Sequence, residues 1–197
     1  MTIACLTAAI AAVSGCAREP LSTLPSDVDP KFGLEAFVED GELVTLIVGT
    51  RVAKMKHDRG AMPVEIAVVN KGLPGLELTA ESFVLIDEEG NRYAAAARKE
   101  LSRIYGNTDV DRRLAVLPVS VRRTFASYTP FLGSMTSSFG RPIVRRVQLS
   151  RFSYLLDFIY FPTPETGIRG RKFELFMDAP QLQDPVFVRF AVDAGKR

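Results

Sequence analysis

Pro63-Val64-Glu65-Ile66-Ala67-Val68-Val69-Asn70 decides the fold. Val64, Ile66 and Val68 fall on one side of an extended chain, with Glu65 and Ala67 on the other. The turn-forming run Asn70-Lys71-Gly72-Leu73-Pro74-Gly75 follows at once, so this stretch reads as a strand that ends at Asn70. Upstream, Leu43 to Val48 is apolar and β-branched and reads as a second strand, continuing by alternation through Val52. Lys54 to Gly60 then reads as a polar loop. Downstream, Ser82 to Ile86 is a third strand, and Asp87-Glu88-Glu89-Gly90-Asn91 is its hairpin loop. Gly90 or Asn91 provides the positive φ that such a loop needs, and Arg92-Tyr93 begins the return strand.

The pattern then changes period. Ala97, Leu101, Ile104 and Tyr105 form a helical stripe that ends at Gly106. Val110, Leu114 and Leu117 repeat the spacing up to Pro118, with Thr108 or Asp109 as the cap and with Asp109 and Asp111 favouring the helix N-terminus. Val121, Phe125 and Tyr128 repeat it again before Pro130. Strands resume at Val144–Leu149, Tyr154–Phe161, Phe173–Met177 and Val186–Val192. Roughly seven strands with turn signals at short intervals predict a mainly β chain, an antiparallel β-sandwich interrupted by a short helical insertion at about 95–142.

The strand ending in Asn70, the hairpin Phe83-x-Leu85-x-Asp87-x-x-Gly90 with Tyr93, and the apolar strand before Pro162 resemble the immunoglobulin-like β-sandwich domains of bacterial lipoproteins of unknown function. The Cys-Trp-Cys marks of antibody domains are absent, since the chain has no Trp. A second resemblance lies at the front. Thr2 to Val13 is short and apolar, and Val13-Ser14-Gly15-Cys16 resembles a lipobox, in which the cysteine is acylated and becomes the first mature residue. The run is too short to span a bilayer, and no Lys or Arg precedes it, which departs from the usual signal. The competing reading is a buried helix that stops at Gly15.

The lipobox resemblance implies a signal peptide at residues 1–15 and a membrane anchor through acylated Cys16. Residues 16–36 are then a lipidated N-terminus and tether rich in Pro, Ser, Asp and Thr, and 37–197 is the sandwich domain. Ala17 in place of an inner-membrane-retaining Asp implies the outer membrane, facing the periplasm. The only two cysteines are Cys5 and Cys16. Cleavage removes the first, so the domain must be stable without a disulfide.

Composition narrows the chemistry. At 197 residues and 47% apolar, the chain can bury a sizeable core. Its net charge of +2 gives no global attraction to nucleic acid. His57, the only histidine, lies in a charged loop and reads as exposed. No Gly-x-Ser-x-Gly elbow presents a nucleophile, no metal-ligand spacing occurs, and no glycine loop cradles phosphate, so neither cofactor nor catalytic set is expected. The Asp87–Asn91 loop lacks the spacing of a calcium site. A glycan hydrolase would need two facing acids; Glu65, Glu77, Glu81, Asp157 and Glu174 are available, but no spacing selects a pair.

The basic residues are unevenly placed, with eleven between Arg98 and Arg151 against three acids. Arg112, Arg113, Arg122, Arg123, Arg145 and Arg146 flank Phe131–Pro142. The plain reading is a solvated face with local ion pairs. The sharper one is a contact surface for an anionic lipid, an envelope polymer or an acidic partner protein, with Phe131, Leu132, Met135 and Phe139 as an apolar insertion beside it. The expectation is a non-catalytic envelope lipoprotein binding a partner protein or anionic component. A structural accessory subunit of an envelope assembly differs from it only in the number of partners.

Overall fold

The computed structural model describes residues 35–106, 108–136 and 142–193. In chain order the elements are β1 (Ala36–Asp40), β2 (Val44–Gly49), α1 (Arg51–Met55), β3 (Ala61–Asn70), β4 (Gly75–Leu78), β5 (Phe83–Asp87), β6 (Arg92–Ala94), α2 (Arg98–Ile104), α3 (Asp109–Leu114), α4 (Leu117–Thr124), β7 (Thr129–Pro130), β8 (Val147–Ser150), β9 (Ser153–Pro162), β10 (Lys172–Met177) and β11 (Val186–Ala191). A single 3-10 turn, Ala80–Ser82, precedes β5. The protein is mainly β, and its sheets are open.

One sheet has the order β1-β2-β3-β9-β7, a second β11-β10-β5-β6, and a small third pairs β4 with β8. Pairing in the first sheet is antiparallel except for the short parallel contact of β7 with β9. β3 lies at its centre and is buried along its whole length. The register sets Val64 opposite Ile159, Ile66 opposite Asp157, and Val68 opposite Leu155. Strand alternation therefore puts these six residues on one face. Val64, Ile66, Val68, Leu155 and Ile159 join Leu46 and Val48 in one core with Phe173, Leu175, Met177, Val188 and Phe190 of the second sheet. The ring of Phe37 on β1 stands 6.2 Å from that of Phe190, closing the core at one edge. Leu76, Leu78, Val147 and Leu149 of the small sheet bury their apolar side in the same core.

The other face of the first sheet is covered by the helices. Val52, Leu101 and Tyr105 pack on Ala61, Phe158 and Tyr160. Separately, Leu117 and Val121 pack on Ala67, Val69 and Tyr154. The predicted helical stretch is thus a lid over one sheet face, inserted between the β5–β6 hairpin and β8.

Two sequence expectations change here. Residues 51–55 form a helix instead of prolonging β2, because Thr50 leaves the extended region and Lys54 N–H bonds back to Thr50 C=O. Pro118 does not end a helix. It lies in the first turn of α4, where the missing proline N–H would have had no helical partner in any case. Three short strands, β1, β4 and β7, carry too little alternation to be read from the sequence.

The hairpin is as expected. Gly90 has φ of 87°, and Asp87 organises the loop by accepting bonds from the Glu89 and Asn91 N–H groups, the Asn91 side-chain amide and the Tyr93 hydroxyl. Burial opposes ionisation of Asp87, but these donors outweigh it and hold its pKa below the ordinary value. With those bonds made, the carboxylate acts as a loop staple.

Candidate functional site

The chemistry-bearing residues of the described chain gather where the insertion meets the outer face of β3 and β9. Glu65 is the centre. Its register partner is Phe158, its side chain is 2% exposed, and it lies between the two apolar clusters under the helices. Its oxygens accept the N–H of Val116 at 2.8 Å and of Leu117 at 3.0 Å. Those N–H groups open α4 and have no helical acceptor. A carboxylate from the sheet therefore does the work of an N-cap that the sequence does not supply locally. Gly49, directly opposite Glu65 on β2, makes room for it. A Cβ there would stand 2.7 Å from Glu65 Oε2 and 3.3 Å from Leu117 Cγ. Burial pushes the Glu65 pKa up to about 7, against the two backbone N–H bonds that pull it down.

Beside Glu65 opens a cavity of about 170 Å³, lined by Glu65, Arg112, Ala115, Pro118, Arg122, Leu156, Asp157 and Phe158. Arg112 comes from α3 and Arg122 from α4, so the two helices bring one arginine of each pair to the same place. Arg113 and Arg123 are exposed on the same helices. Arg145 and Arg146 are elsewhere, at the start of β8, where Arg146 pairs with Glu77 of β4 at 3.3 Å. Four of the six arginines singled out in the sequence thus share the helical face, and two of those line the cavity.

The expected apolar insertion beside them is only partly there. Phe131 and Met135 turn inward and pack in the main core, and of the insertion's described apolar residues Leu132 alone is strongly exposed. The reason is Asp157. It lies on the core-facing side of β9 and accepts the Ser134 hydroxyl at 2.7 Å and the Met135 N–H at 2.6 Å, which pulls the 134–136 segment against the strand. Phe139 lies outside the described residues. Two other apolar residues take up the exposed positions beside the arginines, Val110 on α3 and Val119 on α4.

A second buried carboxylate has partners that the sequence does not announce. Asp111 lies in the first turn of α3, as expected, and is fully buried. Its oxygens take the Lys56 ammonium and the Tyr160 hydroxyl, and Lys56 lies 4.8 Å from the centre of the Tyr105 ring. Burial and the Asp111 charge push both tyrosine hydroxyls up. This cluster ties α1, α2 and α3 to β9. His57 is half-buried, not exposed, with Nδ1 3.2 Å from Lys54 C=O.

Of the five acids offered for hydrolysis, Glu65 and Asp157 hold backbone in place, Glu174 pairs with Arg189 at 3.3 Å, Glu77 pairs with Arg146, and Glu81 is in the turn before β5. A separate acidic depression of about 380 Å³ contains Glu39, Glu42 and Asp184 beside Leu182 and Phe187, and none of those five acids lines it. No group of three or more His, Cys, Asp or Glu among the described residues could hold a metal ion. No described helix is long and apolar enough to cross a membrane. Val13 to Cys16 lies outside the described residues.

No protein-family model matches the chain, and no curated protein matches it. Among solved structures it is similar to a protein of Bacillus subtilis subsp. subtilis str. 168 named as a "putative lipoprotein (ycdA)", with 11% identity and a TM-score of 0.43. The match covers 78% of this chain and 38% of that one. A likeness at that level establishes neither family nor activity.

Proposed function

We propose that this protein is a non-catalytic lipoprotein of the cell envelope, anchored through acylated Cys16 in the outer membrane and facing the periplasm. Its folded domain contacts an anionic envelope component, or an acidic partner protein, through the helical face. The observation that carries the contact surface is the placing of Arg112, Arg113, Arg122 and Arg123 on two consecutive helices over one sheet face, with exposed Val110 and Val119 among them. Clustered arginines attract anionic head groups and polymers, each adding about 1 kcal/mol near a charged surface. Structural employment of Glu65, Asp157 and Glu174 supports the non-catalytic reading.

The strand order supports an immunoglobulin-like sandwich. The order β2-β3-β9-β7 corresponds to A-B-E-D of that fold, and β11-β10-β5-β6 to G-F-C-C′. In this correspondence the helices occupy the chain between C′ and E, where a D strand ordinarily runs, and β7 takes the D position but runs parallel to β9, unlike the antiparallel D strand of that fold.

The anchor and the surface are tested separately. Cys16→Ala should move the protein from the membrane to the soluble fraction and abolish labelling by a palmitate analogue; a variant still membrane-bound without lipid label refutes the anchor. The soluble domain should sediment with phosphatidylglycerol-containing vesicles and not with phosphatidylcholine vesicles. Arg113→Glu with Arg123→Glu should reduce that binding at least tenfold, since charge reversal replaces attraction by repulsion. Unchanged sedimentation removes the lipid as the anionic component.

A further inference from the structure

We propose that the turn between β8 and β9, with Arg151 and Phe152 at its tip, is a wedge that enters the interface of an anionic phospholipid bilayer. The proposal rests on the reading of the helical face as anion-contacting. It adds the point of insertion and the end of the domain that meets the lipid.

The turn is a costly place for an aromatic. Phe152 has φ of 57°, a left-handed conformation that Gly or Asn adopts more easily than a bulky side chain. Its backbone is nevertheless fixed from both sides. The Phe152 N–H donates to Asn70 C=O at the end of β3, and the Phe152 C=O accepts the Thr129 N–H at the start of β7, both at 2.9 Å. The Ser153 hydroxyl closes the turn on Ser150 C=O at 2.6 Å. The ring is thereby held outward. It is 49% exposed and joins none of the three apolar clusters.

The ring also stands on a built support. Phe125 and Tyr128 pack partly against the cluster under α4. Tyr128 meets Phe125 edge-on at 5.4 Å, and Phe152 meets Tyr128 edge-on at 5.5 Å. The Arg151 guanidinium lies over the Phe152 ring, 4.9 Å from its centre. A row of aromatic rings thus leads from the covered sheet face to solvent and ends in a cation.

Charge names the occupant. Phe125 caps α4, whose last turn carries Arg122 and Arg123, so with Arg151 three exposed arginines flank the row. The opposite edge of the same sheet end is different. The β1–β2 turn there holds Asp40 and Glu42, and Asp40 pairs with Lys71 at 2.8 Å. This end of the sheet therefore grades from acidic at β1 to basic at β9, and an anionic surface is met on the β9 side. Arginines take lipid phosphates, and a ring beside them buries at the boundary of head groups and acyl chains. An acidic polymer would engage the arginines but give the ring nothing to enter.

The chain has no Trp, so Phe152→Trp is a single fluorescent reporter. On phosphatidylglycerol-containing vesicles its emission should shift to the blue and be quenched by brominated acyl chains. Met55→Trp, at an exposed position of α1 beyond the other end of β2, should show neither effect. Phe152→Ala should weaken vesicle binding about fivefold, as expected when a half-exposed ring no longer buries in the interface. It decides the matter even if Phe152→Trp does not fold. Unchanged emission from Phe152→Trp on sedimenting vesicles, an equal response from Met55→Trp, or unchanged affinity of Phe152→Ala overturns the wedge and leaves the arginine face in place. Failure of the wild-type protein to bind these vesicles removes both. Self-association without vesicles that Phe152→Ala abolishes assigns the ring to a second copy of the chain and likewise overturns the proposal.

Discussion

The two faces of the five-stranded sheet are built on different principles. The inner face is continuous and apolar. Val64, Ile66, Val68, Leu155 and Ile159 meet Phe173, Leu175 and Phe190 with Asp157 as the one buried acid on it, placed where β9 is the last long strand. The outer face is divided. Two small clusters are joined by polar bonds to Glu65 and Asp111, and its covering helices run for only five to eight residues. Helices that short have little stability of their own. The inner face therefore holds the fold together by burial, and the outer face holds a lid in register by a few directed contacts.

The contrast can be broken most sharply from the inside. Phe190→Ala should cost about 3–5 kcal/mol, the range for emptying an aromatic core position, seen as a fall in the urea midpoint of the whole domain. If the cost is below about 1 kcal/mol, the shared core is not what stabilises the sheets.

The next effect belongs to the outer face and depends on pH. Glu65 has a folded pKa of about 7 against an ordinary 4.5, so between those values the folded state holds a proton that the unfolded state has lost. Its contribution is fully present below pH 4.5, falls as pH rises through the window, and is gone above 7. The shift is worth about 3 kcal/mol. Glu65→Gln should flatten that part of the stability–pH curve in chemical denaturation. A variant with the wild-type slope shows that another group titrates there.

Gly49→Ala is a smaller disturbance aimed at the same contact. The added methyl intrudes on Glu65 and Leu117, and overpacking of this kind costs about 1–3 kcal/mol. Exchange protection should drop first at Val116 and Leu117, before the strands loosen. Uniform loss of protection means that sheet and lid open as one unit. Smallest of all, Arg123→Gln should change stability by less than about 0.5 kcal/mol, as is usual for an exposed side chain away from buried structure. A larger loss places this arginine among the groups that hold the lid.

This difference between the faces also explains what could be read beforehand. Val64, Ile66 and Val68 announce the inner face by alternation alone, and the strands of the second sheet do so equally well. The lid is written in less regular terms. The stripe from Ala97 to Tyr105 was legible as a helix, but Pro118 looked like a stop because a proline closes a helix as readily as it opens one. Asp111 is legible as an acid at a helix N-terminus, but not its burial, because its partners, Lys56 and Tyr160, are remote in sequence. Glu65 reads only as one of five available acids, because its partners, the N–H groups of Val116 and Leu117, are equally remote. A clue was present: Ala67 and Val69 share its side of the strand, and a small, apolar row is what a covered face requires. Cooperation of Arg112 with Arg122 could be seen only once α3 and α4 were laid over the sheet, and the pair at 145–146 shows that doubled arginines in a sequence need not converge.

The last long strand of the sheet carries a further consequence. β9 is ten residues of Ser-Tyr-Leu-Leu-Asp-Phe-Ile-Tyr-Phe-Pro, rich in β-forming side chains with a single acid. Uncovered, its outer edge would be a template for strands of other copies. Thr129–Pro130 pairs with the first residues of that edge, Phe131 N–H bonds to Tyr154 C=O, and the 134–136 segment bonds to the Asp157 carboxylate and the Phe158 carbonyl. A buried acid and a short strap thus act as a guard against aggregation. For a strand this rich in β-forming residues, that protection of its edge matters as much as the free energy of the fold.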